Sequence, residues 1–302
     1  MFPEVNLGFA KLALFPLCAG VGVASVVSCV FIGMKRLRLD AETQEKITEF
    51  LPFTLLAGFL SGVLSDVFFR VGLREAVVNP GKMGMTFFGA LLGCMFALAV
   101  YARVRCLSVG LLMNLFLPSF ALAQAFGRIG CFCGGCCFGR PLEGCWCGVV
   151  YPEGSLPFLK FGFACLAPVQ LFEASYLLAA FLALMLFVGF RFRAAAYLVA
   201  VGAGRFLLEF LRGDDRGSLF GLTALSPAQV IGAALIVAGG VSLLWLFSHS
   251  KNEKEVLRCL GGAPLHVDDL VDGGKGQGRA RDQQSLRQAD EGGSKARLVA
   301  RP

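Results

Sequence analysis

Fifteen consecutive residues bring together groups suited to holding an anion: Gly127-Arg128-Ile129-Gly130-Cys131-Phe132-Cys133-Gly134-Gly135-Cys136-Cys137-Phe138-Gly139-Arg140-Pro141. Arginine presents a planar fork of donors that matches phosphate, and glycine lets a backbone approach a ligand closely or adopt positive φ. A phosphate-bearing ligand is the natural reading of Arg128 and Arg140 among five glycines. The stretch also carries four cysteines, and Cys145 and Cys147 bring the total to six thiols within seventeen residues. Cys133 and Cys136 have the C-x-x-C spacing of a dithiol switch, with Cys131, Cys137, Cys145 and Cys147 as further partners. No βαβ pattern of a thioredoxin-like domain surrounds them, so disulfides that fix the segment are preferred over thiol exchange. Four thiolates could also hold zinc tetrahedrally, but an oxidising compartment disfavours free thiolates. Neither a metal nor a cofactor is expected.

Further charges stand where charge is costly. Arg205 and Glu209 lie in an apolar run, and their i, i+4 spacing stacks them on one helical face, where they can pair or present donors to an anion. Arg212, seven residues after Arg205, extends that face. A charge at mid-bilayer costs about 2.5–3.5 kcal/mol on insertion scales, so each needs a partner or a wet cavity. Asp66 and Glu173 are further candidates. For Asp66, with Arg70 close behind, an interhelical hydrogen bond is the simpler reading.

The elements that position these groups are membrane spans. Of 302 residues, 56% are hydrophobic and 16% charged, below the roughly 25% of soluble domains, which excludes a soluble globular fold. Runs long enough to cross about 30 Å of hydrocarbon lie near 9–33, 50–73, 84–101, 107–126, 168–190, 194–212 and 228–248. The first lacks a basic leader and continues into Lys35, Arg36 and Arg38, unlike a cleaved signal peptide. Lys and Arg concentrate in alternate connections, at Lys35 to Lys46, Arg103 and Arg105, Arg191 and Arg193, and the C-terminal tail, which predicts the N-terminus outside and the C-terminus in the cytoplasm. The net charge of +7 is not read as a nucleic-acid surface, because ten of the 28 basic residues lie beyond residue 250. The expected architecture is all-α and polytopic: a transmembrane domain over 1–249, then a disordered basic tail over 250–302. A non-helical outer segment is expected from Gly127 to Ala167, long enough to be functional.

The frame from Gly127 to Pro141 resembles the signature of the prolipoprotein diacylglyceryl transferase family. Three other blocks resemble the family in the same order: Phe87 to Gly93, Pro168-Val169-Gln170-Leu171-Phe172-Glu173, and Gly204-Arg205-Phe206-Leu207-Leu208-Glu209-Phe210-Leu211-Arg212. The resemblance covers roughly residues 50 to 247. It implies a multi-pass protein of the bacterial inner membrane that moves a diacylglyceryl group from phosphatidylglycerol to the lipobox cysteine thiol of a prolipoprotein. Arg128 and Arg205 match the family's phosphate-site arginines, Glu209 would orient Arg205, and Gly139 would permit a tight turn over the head group. Gly127, Gly130, Arg140, Gln170, Glu173 and Arg212 complete the expected substrate site.

This chain also departs from the family pattern. Cys131 and Gly134 stand where the family has Asn, Cys136 where it has Glu, and Phe88 and Ala167 where it has His; the first span lacks the family's Tyr. The only histidines are His249 and His266, so no imidazole base is available at the outer site. Two other readings remain beside transfer: a relative that binds a lipid head group without transferring it, and thiol-disulfide chemistry through Cys133 and Cys136. A transporter is disfavoured by the lack of an inverted repeat.

Overall fold

The computed structural model describes residues 4–6, 11–79, 84–213 and 226–259. Nine helices lie among them: α1 (Leu14–Arg36), α2 (Ala41–Asp66), α3 (Leu73–Val78), α4 (Phe87–Val104), α5 (Val109–Gly134), α6 (Leu156–Phe161), α7 (Val169–Leu186), α8 (Arg193–Leu208) and α9 (Pro227–Cys259). All but the short α3 and α6 are long and apolar enough to cross a membrane, giving seven spans, the one that contains α8 running from Phe190 to Leu211. The fold is an all-α polytopic membrane protein. Two small antiparallel ribbons accompany it, β1 (Glu4–Asn6) with β2 (Lys11–Ala13) and β3 (Val149–Val150) with β4 (Cys165–Leu166).

The helix ends follow local chemistry. The apolar run near 50 predicts where hydrocarbon begins, but α2 starts at Ala41, because the Asp40 carboxylate caps it by accepting from Thr43 N at 2.9 Å. Likewise α1 starts at Leu14 rather than near residue 9, with Pro16 in its first turn, where a missing N–H has no intrahelical partner to lose. At α9, Ser226 and Gln229 cap each other: Gln229 N donates to Ser226 Oγ at 3.2 Å and Ser226 N to Gln229 Oε1 at 3.0 Å, with Pro227 first in the helix.

The largest correction concerns Gly127 to Gly134. The glycines there predict irregular backbone, yet α5 continues through all of them and stops at Gly135, whose φ of 69° makes a left-handed cap. The non-helical segment therefore starts about two helical turns later than its composition suggests, and α6 and the β3–β4 ribbon interrupt it. Arg128 thus projects from a helix, not from a loop.

Helix α5 is the most buried span and packs against α1, α4, α7 and α8. The core around it includes Val30, Leu98, Leu112, Phe116, Ala121, Leu177 and Tyr197. Asn114 ties α5 to α8: its Oδ1 accepts from Ala194 N at 2.7 Å, in the first turn of α8. Large apolar side chains such as Phe59, Phe96, Leu186 and Leu244 point outward, as lipid contact requires. Asp66, buried, accepts from Gly84 N at 2.6 Å, a tie from α2 to the segment before α4 and not to another helix.

A compact unit ends at Leu246, and of the second unit the described part is the end of α9. Its backbone remains helical past Ser250, to Cys259; the rest of the tail, residues 260–302, lies outside the described residues, as do Lys82 and Arg216.

Among the described residues one disulfide, Cys145–Cys165, joins the segment after α5 to β4. Cys165 lies outside the six thiols of the Cys131–Cys147 stretch, and spacing alone could not pair it. Replacing Cys165 by serine is expected to cost about 3 kcal/mol, the loop-closure value for a loop of this size. The check is thermal unfolding in detergent, where reductant should lower the midpoint of the parent protein and leave that of the variant unchanged.

Candidate functional site

Five charged side chains meet at one end of the bundle. Arg128 comes from the last turns of α5, Glu173 from the start of α7, Arg205 from the end of α8, Glu209 from the 3-10 turn Glu209–Leu211, and Arg212 from just beyond it. Glu173 is the centre. Its Oε1 lies 3.0 Å from Arg128 Nε, and its Oε2 lies 3.3 Å from Arg205 Nη1 and 4.0 Å from Arg212 Nη1. Glu209 Oε2 is 3.2 Å from Arg205 Nη2 and 3.9 Å from Arg212 Nε. The side chains of Arg205 and Glu173 are 3% and 4% exposed, and that of Arg128 is 11% exposed. Burial of this degree makes each charge depend on its partners.

Two neutral side chains complete the cluster, and neither was identified from sequence. Gln124 Nε2 donates to Glu173 Oε1 at 3.5 Å. Its position four residues before Arg128 on α5 was the available signal. Ser226 Oγ donates to Glu209 Oε1 at 2.9 Å, linking the α9 cap to the cluster. The Ser226-Pro227-Ala228-Gln229 stretch carries a helix-start signal, and nothing local in it points to Glu209.

The segment after α5 is held against the cluster by backbone bonds. Gly139 N donates to Ala167 O at 3.1 Å, Arg140 N to Leu211 O at 3.0 Å and Gly213 N to Phe138 O at 3.1 Å, and Gly139 bridges to Arg212. Gln170, fully buried, supports the same segment: its Nε2 donates to Cys136 O at 2.7 Å and lies 3.1 Å from Tyr151 Oη. Gln170 therefore positions the loop. Arg140 contributes backbone, with its side chain exposed.

The expected role of Gly139 needs correction. Its φ is not positive; a Cβ there would collide with the Ala167 carbonyl, so the residue is required for close approach and not for a turn. Gly127, by contrast, has open space at the Cβ position. Gly130 packs against Phe15 and Cys18 of α1 and is not among the groups that meet at Glu173. Gly139→Ala is thus expected to displace the segment from Arg212 and abolish function, while Gly127→Ala leaves the fold intact. Protein yield and thermal stability of the two variants, measured side by side, test this.

The thiols are arranged differently from the C-x-x-C expectation. Cys131, Cys136 and Cys137 bring their sulfurs within 4.8 Å of one another. None of the three is in a disulfide, nor are Cys133 and Cys147. Cys133, two residues after Cys131, lies on another face of α5. The dithiol pair Cys133 and Cys136 is therefore not the juxtaposition that forms, because α5 is still helical at 133 while Cys136 lies past its cap. The hydrogen bonds from Cys131 and Cys136 hold the Cys137 thiol well below its ordinary range; burial opposes this, and the charges of Arg128 and Arg212 support it.

Comparison with known proteins bears on the whole of this arrangement. The family model described as prolipoprotein diacylglyceryl transferase matches residues 5–245. The chain is similar to a Clostridium tetani protein named phosphatidylglycerol-prolipoprotein diacylglyceryl transferase, 30% identical over 228 residues, covering 71% of this chain and 86% of the relative. A protein of the same name from Dehalococcoides mccartyi is 29% identical over 241 residues, 76% of this chain and 88% of the relative. A Clostridium perfringens protein named phosphatidylglycerol-prolipoprotein diacylglyceryl transferase 2 is 28% identical, covering 81% and 94%.

Proposed function

Because the chain belongs to the prolipoprotein diacylglyceryl transferase family, we propose that it transfers the diacylglyceryl group of phosphatidylglycerol to the lipobox cysteine of prolipoproteins. The observation that carries this reading is the convergence of Arg128, Arg205 and Arg212 on Glu173 within the membrane-spanning bundle. Guanidinium forks suit phosphate. Neither partner of the reaction is a nucleic acid.

The chemistry required is a displacement. The thiol sulfur of the prolipoprotein bonds to the glyceryl carbon, the bond from that carbon to the phosphate oxygen breaks, and glycerol phosphate leaves with the electron pair while the thiol gives up its proton. Arg128 and Arg205 hold the phosphate and stabilise the charge it gains on leaving, the kind of preorganised electrostatic help that lowers a barrier most. Glu173 and Glu209 fix the guanidiniums. The site opens sideways to the outer leaflet of the inner membrane, with the N-terminus outside, so that lipid enters from the bilayer and the lipobox from the periplasm. The transmembrane domain over 1–249 carries the activity, and the tail that follows is a cytoplasmic extension.

The test is incubation of the purified protein with labelled phosphatidylglycerol and a lipobox peptide. The expected products are a peptide heavier by one diacylglyceryl group and free glycerol phosphate in equal amount. Lipid binding with neither product would overturn transfer.

A further inference from the structure

We propose that Cys131, Cys136 and Cys137 form a three-thiolate site for a thiophilic divalent cation of the zinc(II) class, whose open fourth position takes the incoming thiol of the protein substrate. The proposal rests on the transferase reading for the identity of that thiol.

The geometry begins with the end of α5. Cys131 lies in its last turn, Gly135 breaks the helix in left-handed conformation, and Cys137 is left-handed too, with φ of 59°. For a residue with a side chain that conformation costs on the order of 1–2 kcal/mol. The outcome is that two thiols beyond the cap fold back onto the third, all within 4.8 Å. Zinc–sulfur bonds of about 2.3 Å in a tetrahedron place sulfurs about 3.8 Å apart, so closure around an ion needs less than about 1 Å of contraction.

The donor set selects the ion. Three sulfurs favour a soft or borderline cation over magnesium or calcium. The cluster's carboxylates, Glu173 and Glu209, are engaged by arginine, and the only histidines are His249 and His266. Three thiolates on a divalent ion carry one net negative charge, and the bridge from Gly139, two residues after Cys137, to Arg212 brings a cationic residue to that side. Three protein ligands with a fourth position left to water or substrate is the arrangement of catalytic zinc, whereas structural zinc has four.

That open position lies beside the arginine cluster, because Gly139 bridges to Arg212 and Gly213 N bonds to Phe138 O, two residues and one residue from Cys137. A thiol that coordinates the ion is deprotonated, its proton passing to water. Its sulfur then forms the carbon–sulfur bond as the carbon–oxygen bond to phosphate breaks, and the thioether product, a weak ligand, leaves. The metal thereby supplies thiol activation at a cluster that holds no imidazole among the described residues.

The experiment uses the full-length protein purified without chelator. Expected are one zinc per chain, its replacement by cobalt(II) with a sulfur-to-cobalt charge-transfer band, and loss of metal and band in Cys131→Ser/Cys136→Ser but not in Cys133→Ser. Adding a lipobox peptide should shift the cobalt ligand-field bands, while the peptide with serine at the lipobox should not. A shift without any diacylglyceryl transfer would uphold the site and overturn the transferase reading. Full transfer by metal-free protein, a cobalt spectrum indifferent to the peptide, or a disulfide between two of the three cysteines in active protein would overturn the site.

Discussion

Replacing Arg205 by lysine is expected to reduce diacylglyceryl transfer by about 10²–10³-fold while the protein remains folded, the penalty for losing one preorganised donor at a developing negative charge. Arg205 is the only residue of the cluster that touches both glutamates within 3.3 Å, Glu173 through Nη1 and Glu209 through Nη2. A lysine ammonium keeps the charge and one of those contacts but not the planar fork, so it cannot hold two carboxylates in place and still face a phosphate. Because the charge survives, folding should survive as well, which alanine would not guarantee. Rates measured on detergent-solubilised protein at saturating phosphatidylglycerol, with melting curves for both forms, separate the two effects. A loss confined to the apparent lipid affinity would move Arg205 from the reacting phosphate to simple head-group capture.

Glu173→Ala is expected to have the largest structural effect, a destabilisation of about 3–5 kcal/mol, as when one partner of a buried ion pair is removed. Glu173 stands on α7, accepting hydrogen bonds from Gln124 of α5 and Arg205 of α8 and pairing electrostatically with Arg128 and Arg212. Without it those guanidiniums lie close together with Glu209 as the remaining carboxylate of the cluster among the described residues. Glu173→Gln keeps the shape and some hydrogen bonding and should fall between the parent and the alanine variant. Membrane-fraction abundance and detergent melting temperature read this directly; an alanine variant as stable as the parent would mean that the cluster is held by the helices and not by its charges.

The spans were legible because lipid contact demands uninterrupted apolar length, and the seven runs read from sequence correspond to α1, α2, α4, α5, α7, the Phe190–Leu211 span and α9. The Arg205–Glu209 pair was legible as well, since helical spacing alone stacks residues four apart. The role of Glu173 was not. Its partners lie 45 and 32 positions away in sequence, and nothing local distinguishes a carboxylate that organises three arginines from one that makes a single interhelical bond. Glycine content misled at Gly127 to Gly134, where propensity favours irregular backbone but packing of α5 against its neighbours keeps it helical. Which thiols meet was not legible for a related reason: C-x-x-C spacing describes a pair at a helix start, whereas here the helix ends between Cys131 and Cys136, and the left-handed residues beyond its cap decide which sulfurs meet. The pairing of Cys145 with Cys165 depends on the β3–β4 ribbon and could not be read from cysteine positions.

The central claim is that the arginines gathered around Glu173 act on the lipid phosphate during transfer. Its most direct test is transfer from labelled phosphatidylglycerol to a lipobox peptide by the parent protein, Arg128→Ala and Arg205→Lys in parallel, each shown to be folded by its melting curve. The predicted result is thioether product and matching glycerol phosphate from the parent, with both falling at least a hundredfold in the two variants. Equal product from all three proteins would contradict it.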